Sequence, residues 1–337
     1  MIRQIQLQQR GSALQLTEVQ APRPKPGPGQ VLLRVHAASL NYRDLINQQD
    51  VQNTANGLVP LSDASAEVIA LGVGVTRWQT GDRVMPGFFP NWKDGKSSVE
   101  SLSVALGGGQ TPGVLSEQIV ASEEALVRVP HTLSHTQAAT LPCAGLTAWQ
   151  ALVERGQLQA GEVVLVQGTG GVALCALQIA KTLGAKVIVT SSSDDKLAKV
   201  KALGAWATIN YKKTPNWSQE ALDLTEGKGV DHILELGGPD TYNQSIAAVA
   251  HGGHIHQIGV LTGFDMRPSI LPLQFKNANV NGICVGSVAQ LHRLARFMEQ
   301  HQLQPVIDKA YGLKDVQIAY ADLASAGHFG KLVIELN

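Results

Sequence analysis

The sequence predicts an α/β protein in two parts, a strand-rich irregular N-terminal part followed by a doubly wound parallel sheet. Three observations carry this. Up to about residue 125, short alternating runs (IRQIQLQ, QVLLRVHAASL, AEVIALG, GDRVMP) are broken by Gly and Pro clusters such as APRPKPGPGQ. From about residue 130, strand-like and helix-like patterns alternate, as in a sheet wound on both faces. Between them in character stands EVVLVQ, an apolar strand that runs into a glycine turn opening a helix. With 337 residues the chain can hold two domains and a large core.

The elements follow in order. NWKDGKSSVESLSVALGGGQTPG is of low complexity and predicts an exposed loop. SHTQAATLPCAGLTAWQAL has helical spacing. EVVLVQG is a strand, GGVALCALQIAKTLGA a helix closed by Gly184, and KVIVTSS a strand. SDDKLAKVKALGA is a helix with an acidic pair at its start and a glycine stop, and WATINY is a strand. SQEALDLTEGKG (helix), VDHILELGG (strand), TYNQSIAAVAHGG (helix) and HIHQIGV (strand) complete the alternation. A last helix, AQLHRLARFMEQHQL, and the strand KLVIEL are expected to return to the first domain.

Composition narrows the function. The chain is 44% apolar and 16% charged, which fits a folded protein. A formal net charge of zero argues against a nucleic-acid partner or an acidic membrane surface. Cys143, Cys175 and Cys284 are too few and too scattered for a disulfide framework. The N-terminal stretch lacks the regions of a secretory signal, and no apolar run nears the ~20 residues of a membrane span. The expectation is a soluble cytoplasmic protein.

Gly168-Thr169-Gly170-Gly171-Val172-Ala173 reads G-x-G-x-x-A after a strand and into a helix. Gly168 permits the tight turn, Gly170 lets backbone approach a pyrophosphate, and Ala173 lets helix and sheet pack closely. The helix start offers unpaired N–H groups and partial positive charge to the anion. The next strand bears on which dinucleotide binds. A carboxylate normally ends it when the ribose carries free hydroxyls. Here Ser191-Ser192-Ser193 end it, and Asp194 and Asp195 fall in the following helix. A 2′-phosphate of roughly −1.5 to −2 charge would be repelled by a carboxylate but welcomed by serine hydroxyls and Lys196. The serines equally suit a helix cap. NADPH is favoured over NADH.

ASLNYRDLI places four polar residues, Asn41 to Asp44, at the end of an apolar strand. Such residues can organise a turn or line a pocket. His254 and His256 lie two apart on a strand and share its face. No nearby cysteine or third histidine completes a site with them, so hydrogen-bonded strand histidines are expected there rather than a metal site.

In order, GDRV, LPCAGLTAW, VQGTGGVALCALQIAKTLGAKVIVTSSSDDKL and HFGKLVI resemble the medium-chain dehydrogenase/reductase superfamily over essentially the whole chain. Zinc-independent alcohol dehydrogenase-like proteins and quinone oxidoreductases are the most similar members. The resemblance implies a GroES-like β-rich catalytic domain (1–124 and 288–337) and a Rossmann NADP-binding domain (125–287). It also implies a homodimer paired through NVNGICVGS.

Zinc-dependent relatives carry a thiolate where this chain has Asn41 and Gly-His-Glu where it has Leu61-Ser62-Asp63. Only Cys143 keeps a ligand type, and the lobe 88–113 lacks the four cysteines of a structural zinc, so no zinc is expected. In its place the resemblance points to hydrogen-bond donors, Asn41 and Tyr42, with Asp44 orienting the segment. It sets Thr147 near the nicotinamide, Gly170, Gly171 and Val172 at the pyrophosphate and ring, and Tyr211 at the 2′-phosphate. Gly259, Val260 and Val285 would border the nicotinamide ribose and carboxamide, with Phe329 and Lys331 covering the cleft. The implied activity is hydride transfer between NADPH and a small quinone, enone or carbonyl/alcohol. The alternative is a non-enzymatic, crystallin-like NADPH-binding protein.

Overall fold

The structure is a computed structural model and describes residues 1–336. The chain divides into two compact units, 1–146 with 285–337 and 147–284.

The first unit is built on strands β1 (Ile2–Arg10), β2 (Ala13–Ala21), β3 (Gln30–Ser39), β4 (Asp63–Leu71), β5 (Arg83–Pro86), β6 (Gln118–Ser122) and β7 (Leu126–Arg128). β1 and β2 form a hairpin around Gly11. β3 is the axis of the larger sheet and pairs antiparallel with β4 and with β6. On β3 Gln30 and Arg34 are exposed, while Val31, Leu33, Val35 and Ala38 are fully buried. They join Leu7, Val68, Leu126, Leu332 and Ile334 in one core.

The second unit holds β8 (Val163–Gln167), β9 (Lys186–Ser191), β10 (Ala207–Asn210), β11 (Val230–Glu235), β12 (Val249–Gln257) and β13 (Asn279–Gly282). Their spatial order is β10-β9-β8-β11-β12-β13, all parallel. This is the doubly wound dinucleotide order, with its switch point between β8 and β11. Val164, Leu165 and Val166 are each fully buried because helices cover both faces. The helix Gly171–Thr182 packs on β8 and β9 through Ala173, Leu174 and Leu177.

β14 (Ile307–Gly312) and β15 (Lys331–Glu335) extend the first unit's sheet. β15 pairs antiparallel with β3, so the chain's end does return to the first unit.

Two expectations, the first boundary and the helix after Ser134, differ from what the chain adopts. The first boundary falls at 146/147 rather than 124/125, because β7 pairs with β5 and Cys143 bonds to Asp63 within the first unit. The stretch 91–113 is exposed over 93–100, as expected, and is anchored at its ends: Trp92 is buried, and the Leu106 and Gly107 carbonyls accept from Arg43 Nη2 and Asn47 Nδ2 at 2.5 and 2.8 Å. The helix after Ser134 is not uniform but widens over Leu141–Gly145 and Gln150–Arg155, where Pro142 removes a donor. β14 has no counterpart among the sequence patterns. Its partner β15, fully buried over Leu332 to Ile334, holds it in the sheet.

Candidate active site

Asn41 lies two residues past β3 and caps the helix Tyr42–Gln49. Its backbone N–H donates to Asp44 Oδ2 at 2.7 Å, and the Asp44 N–H donates to the Asn41 carbonyl at 2.9 Å. This reciprocal cap is why a polar run follows an apolar strand. It leaves the Asn41 side chain for other work. Asn41 Oδ1 accepts from Lys331 Nζ at 2.7 Å, and the same ammonium donates to the Leu40 carbonyl. Asn41 Nδ2 is buried and makes no well-formed hydrogen bond, but its N–H end faces Asp63 and favours that carboxylate.

Around this pair the first unit buries a dense set of charges. Asp63, the first residue of β4, is fully buried. Its Oδ1 accepts from Ser62 Oγ at 2.6 Å and its Oδ2 from the Cys143 N–H at 3.0 Å. Burial raises the Asp63 pKa, while Lys331, then Ser62 and Asn41, oppose the rise. Asp44 is pushed up to about 6 by burial, against Arg43 and its bond to Asn41. Arg43 lies 4.4 Å over the Phe88 ring. Sequence reasoning left Asp63 out of the site; a carboxylate opening the apolar run ASAEVIAL is the signal that could have found it.

The three residues expected to be catalytic are placed differently. Asn41 and Asp44 are buried, whereas Tyr42 is 42% exposed. Asp44 spends one oxygen on the helix cap, and its Oδ1 has no partner. Lys331, expected as a cover, is instead 5% exposed and sits inside the cluster. Phe329 is buried beside it in sequence. Val285 is buried with φ at 55°, a left-handed backbone that is rare for a β-branched residue and marks a constrained position.

The donors do not fit zinc. Asn41 Oδ1 faces an ammonium, and both Asp63 oxygens accept hydrogen bonds. Burial, then Asp63, pushes the Cys143 thiol far above its usual range. Among the described residues no group of three His, Cys, Asp or Glu side chains could hold a metal ion. In the second unit β11 and β12 do bring a third ring, His232, beside His254 and His256. The three rings lie within 6° of parallel. They are hydrogen-bonded strand histidines: His232 joins His256 at 3.2 Å and Glu162 at 3.0 Å, and His254 joins Asn281 at 3.1 Å.

The second unit fits a dinucleotide. Gly168 has φ at +78°, and Gly170 caps the helix without a side chain. A Cβ at either would meet nothing within 4 Å, so the space above the turn is open for a ligand. Thr169 is buried, and Gly171 and Val172 form the first turn. At the end of β9, Ser191 Oγ accepts from the Ser193 N–H at 3.3 Å, and Ser193 Oγ caps the next helix by accepting from the Lys196 N–H at 3.4 Å. The Tyr211 N–H donates to the Ser191 carbonyl at 3.1 Å, and its side chain is 42% exposed. Asp194 is occupied by Lys213 and Asn210, at 2.6 and 2.7 Å.

Gly259 lies so close to Leu236 that a Cβ would come within 2.0 Å of its carbonyl oxygen, and Val260 follows in the same turn. That turn leans on Glu235, a fully buried carboxylate. Glu235 accepts from Gln167 at 2.7 Å, from the Gly237 and Gly238 N–H groups at 3.0 and 2.9 Å, and from Thr241 and Ser245 hydroxyls. Thr147 is buried in the helix that opens this unit.

A buried polar cluster on a β-rich unit, with a parallel-sheet dinucleotide fold, defines a pyridine-nucleotide oxidoreductase. Residues 27–131 match the family described as "Alcohol dehydrogenase GroES-like domain", and 171–300 that described as "Zinc-binding dehydrogenase". A zinc-type alcohol dehydrogenase-like protein of Schizosaccharomyces pombe is 41% identical, covering 93% of this chain and 92% of that one. A quinone oxidoreductase of Pseudomonas aeruginosa is 30% identical over 92% of each. A solved structure named NAD-dependent alcohol dehydrogenase superposes with a TM-score of 0.88 at 31% identity, covering 99% of this chain and 100% of that one. The chain belongs to the medium-chain dehydrogenase/reductase superfamily, and it is an oxidoreductase of the alcohol dehydrogenase-like and quinone oxidoreductase type.

Proposed function

We propose that this protein is a zinc-free, NADPH-dependent reductase of small conjugated carbonyls or quinones. The observation that carries the reading is the buried Asn41 amide, which stands where zinc-dependent relatives carry a thiolate, with its oxygen taken by Lys331 and its N–H end toward Asp63. When an acceptor takes hydride, negative charge grows on its oxygen, and a fixed donor there lowers the barrier. Asn41 is the candidate donor, its amide exchanging Asp63 for the acceptor's oxygen, and the exposed Tyr42 hydroxyl is the candidate to donate a hydrogen bond or proton. Conjugation spreads the developing charge, which suits an acceptor site without a Lewis acid. Reversible oxidation of an alcohol stays within the same chemistry.

NADPH would supply the hydride. The open turn at Gly168 and Gly170 would hold its pyrophosphate, and Ser191, Ser192, Lys196 and Tyr211 its 2′-phosphate. The expected homodimer pairs β13 with its copy: the strand is at the sheet's edge, and Val280, Phe264, Ile270, Leu271 and Phe275 near it are exposed apolar residues.

One experiment tests the reading. Oxidation of NADPH and of NADH is followed with a panel of quinones, enones and aldehydes. A preference for NADPH and for conjugated acceptors is expected, and Ser192→Asp is expected to move kcat/KM toward NADH by about tenfold, ~1.4 kcal/mol. No turnover with any acceptor would end the reductase reading, and a tenfold preference for NADH would end the cofactor assignment. Tyr42→Phe with unchanged kcat/KM would remove Tyr42 as proton donor.

A further inference from the structure

This inference rests on the reading of Ser191, Ser192, Lys196 and Tyr211 as the site of the cofactor's 2′-phosphate. A free carboxylate beside that site would repel a group of roughly −1.5 to −2 charge. One stands there: Asp194 follows Ser193 and is the first residue of the helix Asp194–Ala202. An acidic residue in a first turn suits the helix dipole. The helix therefore gains from the charge that a phosphate would refuse.

The end of β10 resolves this conflict. Asn210, the last residue of β10, lies opposite Ser191 in the parallel register. The turn after it carries Tyr211, whose N–H donates to the Ser191 carbonyl at 3.1 Å, and Lys213, whose N–H donates to the Asn210 carbonyl at 3.0 Å. The same turn reaches Asp194. Asn210 Nδ2 donates to Asp194 Oδ1 at 2.7 Å, and Lys213 Nζ donates to Oδ2 at 2.6 Å. Both carboxylate oxygens are engaged on the β10 side, and one of the bonds brings a full counter-charge. Lys213, then Asn210, hold the Asp194 carboxyl below its usual range, so it is ionised at neutral pH. Lys213 and Asp194 are exposed, so the pair adds little to folding, and its effect falls on a charged ligand bound beside it.

We propose that Lys213 and Asn210 determine cofactor specificity through Asp194: they hold its carboxylate on the β10 side and cancel its charge, which lets a phosphate-bearing ribose sit at the end of β9. Released from them, the carboxylate would be available to ribose hydroxyls, as a carboxylate at that strand end ordinarily is, and NADH would gain. Lys213 acts through Asp194 and is not itself a ligand of the phosphate.

A double-mutant cycle separates these roles. Kd for NADPH and NADH by fluorescence titration, and kcat/KM for each with one acceptor, are measured at low salt for the wild type, Lys213→Met, Asp194→Asn and the double variant. Lys213→Met is expected to lower the preference for NADPH over NADH by about fivefold, the effect of one uncancelled charge on a phosphate across water. In the Asp194→Asn background the same substitution is expected to change the preference by less than about twofold. Lys213→Arg, which keeps the charge, is expected to keep the wild-type preference. An equal drop in both backgrounds would make Lys213 a direct phosphate ligand and overturn the proposal, as would no drop in either. Because both residues are exposed, the variants are expected to keep the wild-type Tm.

The NADPH assignment can fail on its own. A wild type that prefers NADH would end that assignment, but the cycle still reads the shift. A further move toward NADH that requires Asp194 supports the proposal, and a move independent of Asp194, or none, overturns it. If no acceptor is turned over, the two Kd values carry the same test.

Discussion

Asp63 and Cys143 meet through a carboxylate-to-backbone hydrogen bond of 3.0 Å, joining positions 80 residues apart. The same carboxylate holds Ser62 and balances the charge of Lys331. Asp63→Ala would strand an ammonium and a backbone N–H in the interior. Unfolding free energy is expected to drop by ~3–5 kcal/mol, the cost of breaking a buried charge pair. Asp63→Asn, which keeps hydrogen-bonding atoms, is expected to cost less. Urea titration of the three proteins checks the order, and equal stability of Asp63→Ala and wild type would remove Asp63 from the cluster's framework.

Gly170 separates folding from cofactor binding. Its φ is −81°, which any residue adopts, and an added Cβ meets nothing within 4 Å. Gly170→Val is therefore expected to fold with Tm within a few degrees of wild type while NADPH Kd rises by about tenfold or more, because the side chain fills the open space above the turn. Unchanged NADPH binding would place the pyrophosphate elsewhere.

Acid should destabilise the protein through its buried histidines. Burial, then His232 and His254, hold His256 down to about 3, and burial, then His36, holds His135 to about 4. Both lie below the ordinary 6.5, so as pH falls the unfolded chain takes up protons that the folded one refuses. Stability is present above about 6.5 and is lost on acidification. Asp44 works the other way: its folded value of about 6 lies above the ordinary 3.8, so it favours the fold as pH drops from 6 to 3.8. Two histidines outweigh one carboxyl, and the urea midpoint is expected to be lower at pH 5 than at pH 7.5. His256→Gln is expected to flatten that difference. A midpoint that rises on acidification would mean that Asp44 dominates.

The edge strand β13 sets the expectation for assembly. Val280 is 43% and Phe275 71% exposed. Replacing Val280 with Lys puts like charges across a strand pair in a two-fold dimer. The variant is expected to sediment as a monomer where the wild type sediments as a dimer. A wild-type monomer, or a Val280→Lys dimer, would remove β13 from the interface.

The sequence by itself determined the parallel sheet and its phosphate turn. Both depend on local signals: apolar runs of strand length, glycine at a positive φ, and a helix start within a few residues. It also marked Asn41 as unusual, since a polar run after an apolar strand is visible without a fold. Only the tertiary structure decided what Asn41 does. Asp44 proved to be its cap, a local bond that the spacing allows. Lys331, Asp63 and Cys143, which complete the cluster, come from β15, from β4 and from the widened helix after Ser134. None of these pairings has a periodicity to read. They exist because burying one ammonium obliges the fold to bring a carboxylate and an amide to it, wherever in the chain those residues stand. The third histidine ring follows the same rule: His232 reaches His254 and His256 only through the register of two parallel strands.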